Sequence, residues 1–513
     1  MKVAKNVANN VVLVAVIFVF TIIIIASFFY DSSVFYTQNR LISIVCATVV
    51  LGVWYLLYFV IKKKVRVLSK KNIIIVTIIY FFIVTCIQVL VVRHFGVEPG
   101  WDFGVVYDNA LKFIEEGTRI NSSYKEYFEY YPNNILLFVL LITFIKLGTF
   151  IGLNAYTSAI IMNIIFIDLA LLLLILTVMK KFENKYCIMA MIISLFLLPL
   201  FLYTPIFYSD TLSLFVGIGF VYLYINFEKK YNKKNIINLI LVGTLLFVGK
   251  EIKITSLFIF IAILFDYIKG LNNIKEIKYL SIPFSVFLIL NIFFNMFIVN
   301  NDKFNFSENV YERYPYTNWI MMGVEDIERD NSGRSAYGGY NGQDFDLTRQ
   351  HQITKDEKTF NITEYIDRVK KMGFLGYLDF LTKKSVNTWT DGLYFVDIAL
   401  SINPKHSDSE VYQFVLKENK MTLVYFCQGV QFAFLLILIV SSVFELKNNK
   451  DIKEINYDKL AIIGLFIFFL FLENRSRYII NYIPIFILII VTSYHNMFEN
   501  RKIKLLSERV KNL

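Results

Sequence analysis

The chain has 513 residues, of which 56% are apolar and 18% are charged, and its formal net charge is +11. Soluble proteins hold about 45–50% apolar and about 25% charged residues, so the composition excludes an ordinary soluble protein. The lysines lie in short blocks between apolar runs, which indicates membrane orientation signals rather than nucleic-acid binding.

Twelve apolar runs predict helices that cross about 30 Å of hydrocarbon. They lie near 11–30, 41–61, 72–92, 154–179, 186–203, 209–227, 235–249, 252–268, 279–299, 421–445, 458–473 and 478–496. No small-residue cleavage site follows the first run, which we therefore interpret as a retained helix. The expected fold is an all-α polytopic membrane protein in the lipid bilayer, with outer-leaflet juxtamembrane helices and a mixed extracytoplasmic loop region.

A thirteenth apolar run, 135–147, is about half as long as a normal span. The connection IKKKVRVLSKK, between the second and third spans, is predicted to be cytoplasmic because basic residues in short loops prefer that side. If 135–147 crossed, most basic residues of the later connections would lie outside. We therefore predict a re-entrant or surface-lying helix at the outer leaflet of a multi-pass cell-membrane protein, with both termini cytoplasmic.

Two polar stretches, 93–134 and 300–420, interrupt the apolar pattern and are expected on the outer side. The predicted units are a transmembrane module, 1–299, with its external loop and the helix at 135–147; an extracytoplasmic substrate-binding region, 300–420; and C-terminal helices with a cytoplasmic tail, 421–513.

The first external loop reads RHFGVEPGWDFGVVYDNALKF and carries the carboxylates Glu98, Asp102 and Asp108. A carboxylate held at the membrane surface beside a lipid-borne substrate suits a general base. Pro99–Gly100 forms a turn and Trp101 an interfacial anchor, so Asp102 is the preferred base. A solvated acidic loop is the alternative interpretation.

The same loop ends in EYFEYYPNNILLFVLL, an aromatic approach to Pro132 and two asparagines. Proline at the first turn is typical of an ordinary helix start. Tyrosines also stack on sugars, so Tyr131 and Asn133 are candidate substrate-binding residues.

An acidic first loop, a Tyr-Pro motif that opens a short external helix and a later external aspartate resemble the GT-C superfamily of membrane glycosyltransferases. Its protein O-mannosyltransferase and aminoarabinose-transferase branches are the nearest. The resemblance implies that Asp102 activates the acceptor and that the donor is a sugar on polyprenyl phosphate. This chain has YPNN where the family often has HPP, and a single Asp102 where it often has an Asp-Glu pair.

Two further stretches extend the resemblance over most of the first 270 residues. LPLFLYTPIFYSDTLSLF is similar to the family's external turn that ends in aspartate, here Asp210. LVGTLLFVGKEIKITSLF is similar to its glycine-rich span that ends in an external lysine, here Lys250. Lys250, or Lys253 beside it, could neutralise a lipid phosphate; snorkelling at a helix end is the alternative.

The last spans are joined by FLENRSRYIINYIPIF, which is similar to the family's C-terminal Arg-Tyr-x-x-x-x-x-Pro signature and includes Tyr478. Arg475 and Arg477 are the only basic residues of this apolar turn. Two guanidiniums there are costly unless an anion matches them. A polyprenyl phosphate is the preferred partner, and Glu473 is the alternative one.

The segment 300–420 contains a stretch rich in Gly, Tyr, Asn and Asp, a composition that suits a loop contacting sugar hydroxyls. Trp389 and Asp391 lie where the chain returns to the membrane and could line the acceptor cleft. Asp344 and Asp346 form a D-x-D pattern, which we interpret as structural because the metal-binding motif normally follows a strand of a nucleotide-sugar fold. The scattered histidines and membrane cysteines predict no metal site, and neither a cofactor nor a nucleotide-binding motif is expected.

These features predict an inverting glycosyltransferase that moves a hexosyl or pentosyl group from a polyprenyl-phosphate donor to an extracytoplasmic acceptor, expected to be a cell-wall or surface polysaccharide. A flippase or transporter of lipid-linked saccharides is one alternative, although internal repeats and helices broken near mid-membrane are not evident. A polysaccharide polymerase or ligase is another, and it would depend on Arg and His of the external segment more than on Asp102.

Overall fold

The structure is a computed structural model that describes residues 2–31, 33, 37–65, 68–117, 127–271, 273–304, 306, 310, 314–329, 334–448 and 456–498. The basic tail from 499 onward, predicted to be cytoplasmic, and residues 449–455 lie outside the described part.

Helices form most of the described chain. The N-terminal half contains α1 (Lys2–Ala26), α2 (Arg40–Lys64), α3 (Lys70–Phe95), α4 (Trp101–Glu116), α5 (Tyr127–Tyr130), α6 (Ile135–Phe150), α7 (Ala155–Lys181), α8 (Asn184–Phe196), α9 (Pro199–Leu202), α10 (Ser209–Leu212), α11 (Leu214–Ile225) and α12 (Lys233–Ile252). The remainder contains α13 (Phe258–Lys269), α14 (Ser281–Phe294), α15 (Thr317–Met322), α16 (Gly342–Thr354), α17 (Glu357–Trp389), α18 (Val396–Ile402), α19 (Glu410–Gln413), α20 (Lys420–Asn448), α21 (Tyr457–Phe471) and α22 (Ile483–Phe498).

Polar side chains just before several apolar runs set the helix starts. Asn39 accepts a hydrogen bond from the backbone at the start of α2, Ser69 does so at α3, Asn154 at α7 and Asn232 at α12. Each cap satisfies a backbone N–H that has no partner within its helix. These caps fix where the membrane helices begin, although apolar content alone would leave their limits open.

Nine helical stretches of the described chain are long and apolar enough to cross a membrane. They are Val7–Ala26, Arg40–Lys63, Lys70–Phe95, Pro132–Phe150, Ala155–Lys181, Lys233–Ile252, Ile274–Val299, Lys420–Asn448 and Ser476–Phe498. The all-α polytopic fold is therefore confirmed, but the count of twelve is not. The runs predicted at 186–203, 209–227, 252–268 and 458–473 contain the shorter helices α8, α11, α13 and α21. Helices α8 and α11 have no exposed residue, whereas α13 exposes Ile261, Phe265 and Ile268.

The run predicted at 135–147 forms a longer helix than expected. Its helix α6 extends to Phe150 and continues a 3₁₀ turn that begins at Pro132, so the whole stretch is itself long and apolar enough to cross. In its last turn, the Thr149 hydroxyl donates to the carbonyl of Ile145 at 2.9 Å. The placement of this helix at the outer leaflet stays a prediction.

The C-terminal helices pack among the N-terminal ones. Helix α20 lies against α1, α2 and α22. A Cβ on Gly429 would lie 2.6 Å from the Cβ of Cys46, so the glycine allows α20 and α2 to approach closely. The packing therefore crosses the unit boundary predicted at 421.

The segment between α14 and α20 forms a small mixed layer at one end of the bundle. It contains α15 to α19 and an antiparallel hairpin, β1 (Asp326–Arg329) and β2 (Arg334–Tyr337), in which Asp326 pairs with Tyr337. Helix α17 is interrupted at Gly373, whose φ of 65° suits glycine. This layer holds several of the residues that face the charged groups described below.

Candidate functional site

The first external loop is held by the chain that returns after α18. The backbone N–H of Glu98 donates to the carbonyl of Asn403 at 2.8 Å, and that of Lys405 donates to the carbonyl of Gly96 at 2.8 Å. Helix α4 then starts at Trp101, whose φ of 47° is rare for a residue with a Cβ. This pinned turn places Asp102 in the first turn of α4.

Four charged side chains from four parts of the sequence meet at this end of the bundle, and we call Asp102, Asp210, Lys253 and Arg477 the charged cluster. Lys253 forms an ion pair with Asp210, and the Arg477 guanidinium lies 3.9 Å from Asp210 and 3.7 Å from Asp102. Asp210 is only 2% exposed, whereas Asp102 is 31% exposed. Asp102 is therefore the carboxylate of the cluster that a substrate can reach.

Aromatic rings surround the two cations of the charged cluster. The Lys253 ammonium lies 4.6 Å from the ring centre of Tyr478, and the Arg477 guanidinium lies 5.3 Å from that ring and 5.6 Å from that of Tyr208. The Tyr478 hydroxyl donates to Glu473 at 2.9 Å. Burial lowers the pKa of Lys253, although Asp210 opposes that shift. These rings limit water access and strengthen the local electrostatics.

Arg475 differs from its neighbour because it makes no ion pair with a carboxylate in the described part of the chain. Its guanidinium lies 5.1 Å from the ring centre of Phe395, which in turn contacts Trp101 at 6.2 Å. Burial raises the pKa of Glu473, while Arg475 opposes that shift. Arg475 is thus a cation beside the charged cluster whose charge no direct contact neutralises.

Asp391 shapes the turn that presents Phe395. Its carboxylate accepts hydrogen bonds from the N–H of Leu393 at 3.0 Å, the N–H of Phe395 at 3.1 Å and the hydroxyl of Ser476 at 2.6 Å. Tyr394 and Phe395 both have positive φ, 50° and 67°, which costs conformational energy for such residues. Burial raises the pKa of Asp391 to about 6. Asp391 therefore supports the site rather than lining it.

A buried lysine joins the mixed layer between α14 and α20 to the segment that carries the arginines. The Lys384 ammonium donates to the carbonyls of Gly323 at 2.7 Å, Leu472 at 2.7 Å and Leu470 at 3.1 Å. Burial lowers its pKa to about 7, which Glu473 opposes. The clamp fixes the end of α21 three residues before Arg475.

The chain matches the family model described as conserved hypothetical integral membrane protein over residues 3–498. The chain belongs to this family. No curated protein and no solved structure matches it. The family supports a multi-pass membrane protein and leaves the chemistry to be argued from the site.

Several predicted site residues lie apart from the charged cluster. Lys250 pairs with Glu251 and donates to Asn291 at 3.0 Å, so Lys253, and not Lys250, contacts the cluster. Trp389 is 1% exposed and packs edge-on against Phe20 at 5.2 Å, which makes it a core residue. Its neighbours Thr388 and Asp391 contact the arginine segment instead, at Asn474 and Ser476.

Other predictions fall on the protein surface. Glu98 is 65% exposed and lies 3.4 Å from Lys405. Asp108, on α4, and Asn133 are exposed. The buried residue is instead Asn134, which donates to the hydroxyls of Tyr127 at 2.8 Å and Tyr208 at 3.3 Å. The Asn-Asn pair therefore contributes its second member to the site.

The D-x-D pattern has the structural role that was expected. Asp344 is buried and accepts two hydrogen bonds from Arg368, each 2.7 Å long, while Asp346 is exposed. Within the described ranges, no three His, Cys, Asp or Glu side chains group as they would around a metal ion.

Sequence reasoning missed Tyr208, Asn134 and Phe395. Tyr208 could have been found because it lies two residues before Asp210 in the same external turn. Phe395 carries no motif, and only the folded turn brings it between Trp101 and Arg475.

Proposed function

We propose that this protein is a glycosyltransferase that moves a sugar from a polyprenyl-phosphate donor to an extracytoplasmic polysaccharide acceptor. One observation carries the proposal: Arg477 bridges the accessible Asp102 and the buried Asp210, while Arg475 lies near them and pairs with no carboxylate among the described residues. A base next to cations that can hold a phosphate is the charge pattern that glycosyl transfer from a lipid phosphate requires.

The reaction assigns a role to each charge. The acceptor oxygen attacks the anomeric carbon as its proton passes to Asp102, and the bond between that carbon and the phosphate oxygen breaks. The polyprenyl phosphate leaves with the bonding electrons and gains negative charge, which Arg475 neutralises together with Arg477. A single displacement inverts the anomeric configuration. Asp210 pairs with Lys253, contacts Arg477 and keeps Arg477 in place.

The resemblance of the quoted motifs to the GT-C superfamily supports the same reading. Asp102, Asp210, Lys253 and Arg477 come from the four stretches that carry the resemblance, and they share one site in the structure. If these four charges only marked separate helix ends, each could lie in the headgroup region by itself, and the charges would not need to meet.

The proposed site lies on the extracytoplasmic side, with helix α6 re-entrant there. Asn134, just before α6, bonds to Tyr208 beside the charged cluster. Near the start of the following helix α7, the Tyr156 hydroxyl donates to the carbonyl of Val97 in the first external loop at 2.8 Å. Contacts at both ends of α6 thus lead back to the site end of the bundle, which supports a re-entrant placement.

The decisive experiment is sugar transfer by the purified protein in nanodiscs. Radiolabelled polyprenyl-phosphate hexoses and pentoses are offered with a cell-wall polysaccharide acceptor, and the native protein is compared with Asp102→Asn. Loss of a general base typically costs about 10²–10⁴-fold in rate, and we expect a loss in that range. Asp408→Asn, which removes an exposed carboxylate near the same end of the bundle, should transfer at the native rate.

Unchanged transfer by Asp102→Asn would remove Asp102 as the base. Absence of transfer from every donor, in protein that melts cooperatively, would reject the glycosyltransferase and favour a transporter of lipid-linked saccharides.

A second experiment tests the side of the membrane. In a background where Cys46→Ser and Cys86→Ser leave only the buried Cys187 and Cys427, Asp408→Cys and Lys230→Cys each place one accessible thiol, at opposite ends of the bundle. An impermeant maleimide added to intact cells should label position 408 and not position 230. The reverse pattern would place the charged cluster on the cytoplasmic side and contradict the proposal.

A further inference from the structure

A group of aromatic side chains continues outward from the charged cluster, and we call Tyr130, Tyr131, Trp319, Tyr340 and Phe345 the aromatic wall. The Tyr131 ring lies 5.8 Å from Trp319 and 6.4 Å from Phe345, to which it is almost parallel. Tyr130 meets Phe345 edge-on at 4.9 Å. All five side chains are partly exposed, so the wall is a surface and not a closed core.

The wall rests on a rigid support. Behind it, the buried Tyr314 donates to the carbonyl of Phe345 at 3.2 Å, and its ring lies 5.0 Å from that of Phe345. Asn341 caps α16, the helix that carries Phe345. A surface held in this way loses little conformational entropy when it binds a ligand.

The backbone joins the wall directly to the arginine segment. The N–H of Glu473 donates to the carbonyl of Trp319 at 2.7 Å, and the N–H of Asn474 donates to the carbonyl of Gly338 at 2.9 Å. Arg475 follows immediately. The wall and the charged cluster are therefore parts of one continuous surface.

Polar groups edge the wall on both sides. Tyr131 and Tyr340 are hydrogen-bonded to each other. Burial is the main cause that raises the pKa of Tyr131, and its neighbours Tyr340 and Asp102 add to the shift. At the outer end, the Arg349 guanidinium lies 5.3 Å from the ring centre of Tyr130. The surface thus offers flat apolar faces whose rims carry hydroxyl, guanidinium and carboxylate groups.

A saccharide ring matches this combination. Its C–H faces are apolar enough to pack on aromatic rings, and its equatorial hydroxyls reach polar groups at the ring edges. An apolar ligand would bury the polar rim without partners. We propose that the aromatic wall binds saccharide units of the acceptor and brings one acceptor hydroxyl to Asp102. This inference rests on the proposed function and names its acceptor class.

The test is direct binding, measured without catalysis. Oligosaccharides released from the producing cell's own surface polysaccharide are titrated calorimetrically into the protein in nanodiscs. Trp319→Ala and Tyr131→Ala should each weaken binding about 3- to 10-fold, as expected for loss of one aromatic contact. Tyr316→Ala removes a 70% exposed tyrosine of the same segment outside the wall and should bind like the native protein.

Tyr131→Phe keeps the ring and the packing, so its affinity should fall less than that of Tyr131→Ala; thermal melting of each variant checks the fold. The native protein should bind the oligosaccharides whether or not it transfers sugar, because binding requires only the wall. Failure of sugar transfer with binding retained would thus count against the proposed reaction and not against the wall. Native affinity in both alanine variants, or stronger binding of hydroxyl-bearing peptides than of the oligosaccharides, would overturn the wall proposal.

Discussion

The two ends of helix α21 bury charges in different ways. At its start, the Lys459 ammonium lies 2.8 Å from Glu445, and both side chains are at most 4% exposed. Asn456 and Asn496 donate to the same carboxylate at 2.8 and 3.4 Å. Lys459 and Glu445 thus neutralise each other, and the carboxylate's remaining acceptor positions receive hydrogen bonds.

Beyond the other end of α21 the charges are shared less tightly. Arg477 lies 3.7 and 3.9 Å from its two carboxylates, Asp102 is partly exposed, and Arg475 has no ion pair. A buried ion pair that is closed and fully hydrogen-bonded fixes helices, whereas an incompletely matched group of charges is suited to a charged ligand. The contrast indicates a structural role for the first end and supports the binding role proposed for the second.

The largest expected effect on stability is at the start of α21, which we call the closed end because Lys459 pairs there with Glu445. Lys459→Met leaves the Glu445 carboxylate buried without its counter-charge and should lower the free energy of unfolding by about 3–5 kcal/mol. Lys459→Met combined with Glu445→Leu removes both charges and should recover most of that loss. Thermal unfolding in detergent measures both. A double variant as unstable as the single one would contradict the interpretation of a closed pair.

The next largest effect should follow from Lys384→Met. Three carbonyls lose the ammonium that they share, and we expect the free energy of unfolding to fall by roughly 2–4 kcal/mol. Because the clamp holds the end of α21 near Arg475, sugar transfer per folded molecule should also fall. Lys383→Met, at the neighbouring half-buried lysine, is the control for both measurements. If folded Lys384→Met transferred sugar at the native rate, the Lys384 clamp would have no influence on the site.

Asp391 should make the free energy of unfolding depend on pH. It lies beyond the other end of α21, which we call the open end because its charges are only partly paired. Burial raises its folded pKa from 3.8 to about 6, so the folded chain binds this proton more tightly than the unfolded chain. Its stabilising contribution is full below about pH 4 and is lost as the pH rises to about 6. At about 1.4 kcal/mol per pH unit the change is at most about 3 kcal/mol. Asp391→Asn should flatten this part of the melting profile; an unchanged slope would contradict the assignment.

The smallest effect on stability should be that of Arg475→Gln. No direct ion pair is lost, so the free energy of unfolding should change by no more than about 0.5 kcal/mol. Arg477→Gln, the matched change two residues later, leaves the buried Asp210 with one cation fewer and should destabilise more. Equal destabilisation by the two variants would mean that Arg475 is as structural as Arg477.

The sequence predicted the membrane class and several charges of the site for physical reasons. Apolar runs predict membrane-crossing helices and lysine blocks predict their orientation, and neither signal depends on how the helices pack. Asp102 was selected as a carboxylate held at the membrane surface and Arg477 as a costly charge in an apolar turn, whereas Asp210 was selected through the family resemblance. These three side chains do meet in the structure.

The remaining features depend on tertiary contacts that no local pattern encodes. The choice between Lys250 and Lys253 depends on the extended backbone at Lys253, which directs its ammonium to Asp210. Trp389 looked like a cleft residue from its position alone, but α17 turns it towards Phe20. The count of twelve spans is not confirmed, because short buried helices such as α11 are as apolar as the longer ones.

The central claim is that the open end holds a lipid phosphate through Arg475. It is tested by the affinity of the protein in nanodiscs for a sugar-free polyprenyl phosphate, with the Lys459→Met, Glu445→Leu double variant as the stability control. A charge-assisted hydrogen bond contributes about 1.5–3 kcal/mol, so Arg475→Gln should bind this lipid roughly 10- to 100-fold more weakly than the native protein, while the control binds normally. Equal affinity of Arg475→Gln and the native protein would contradict the account.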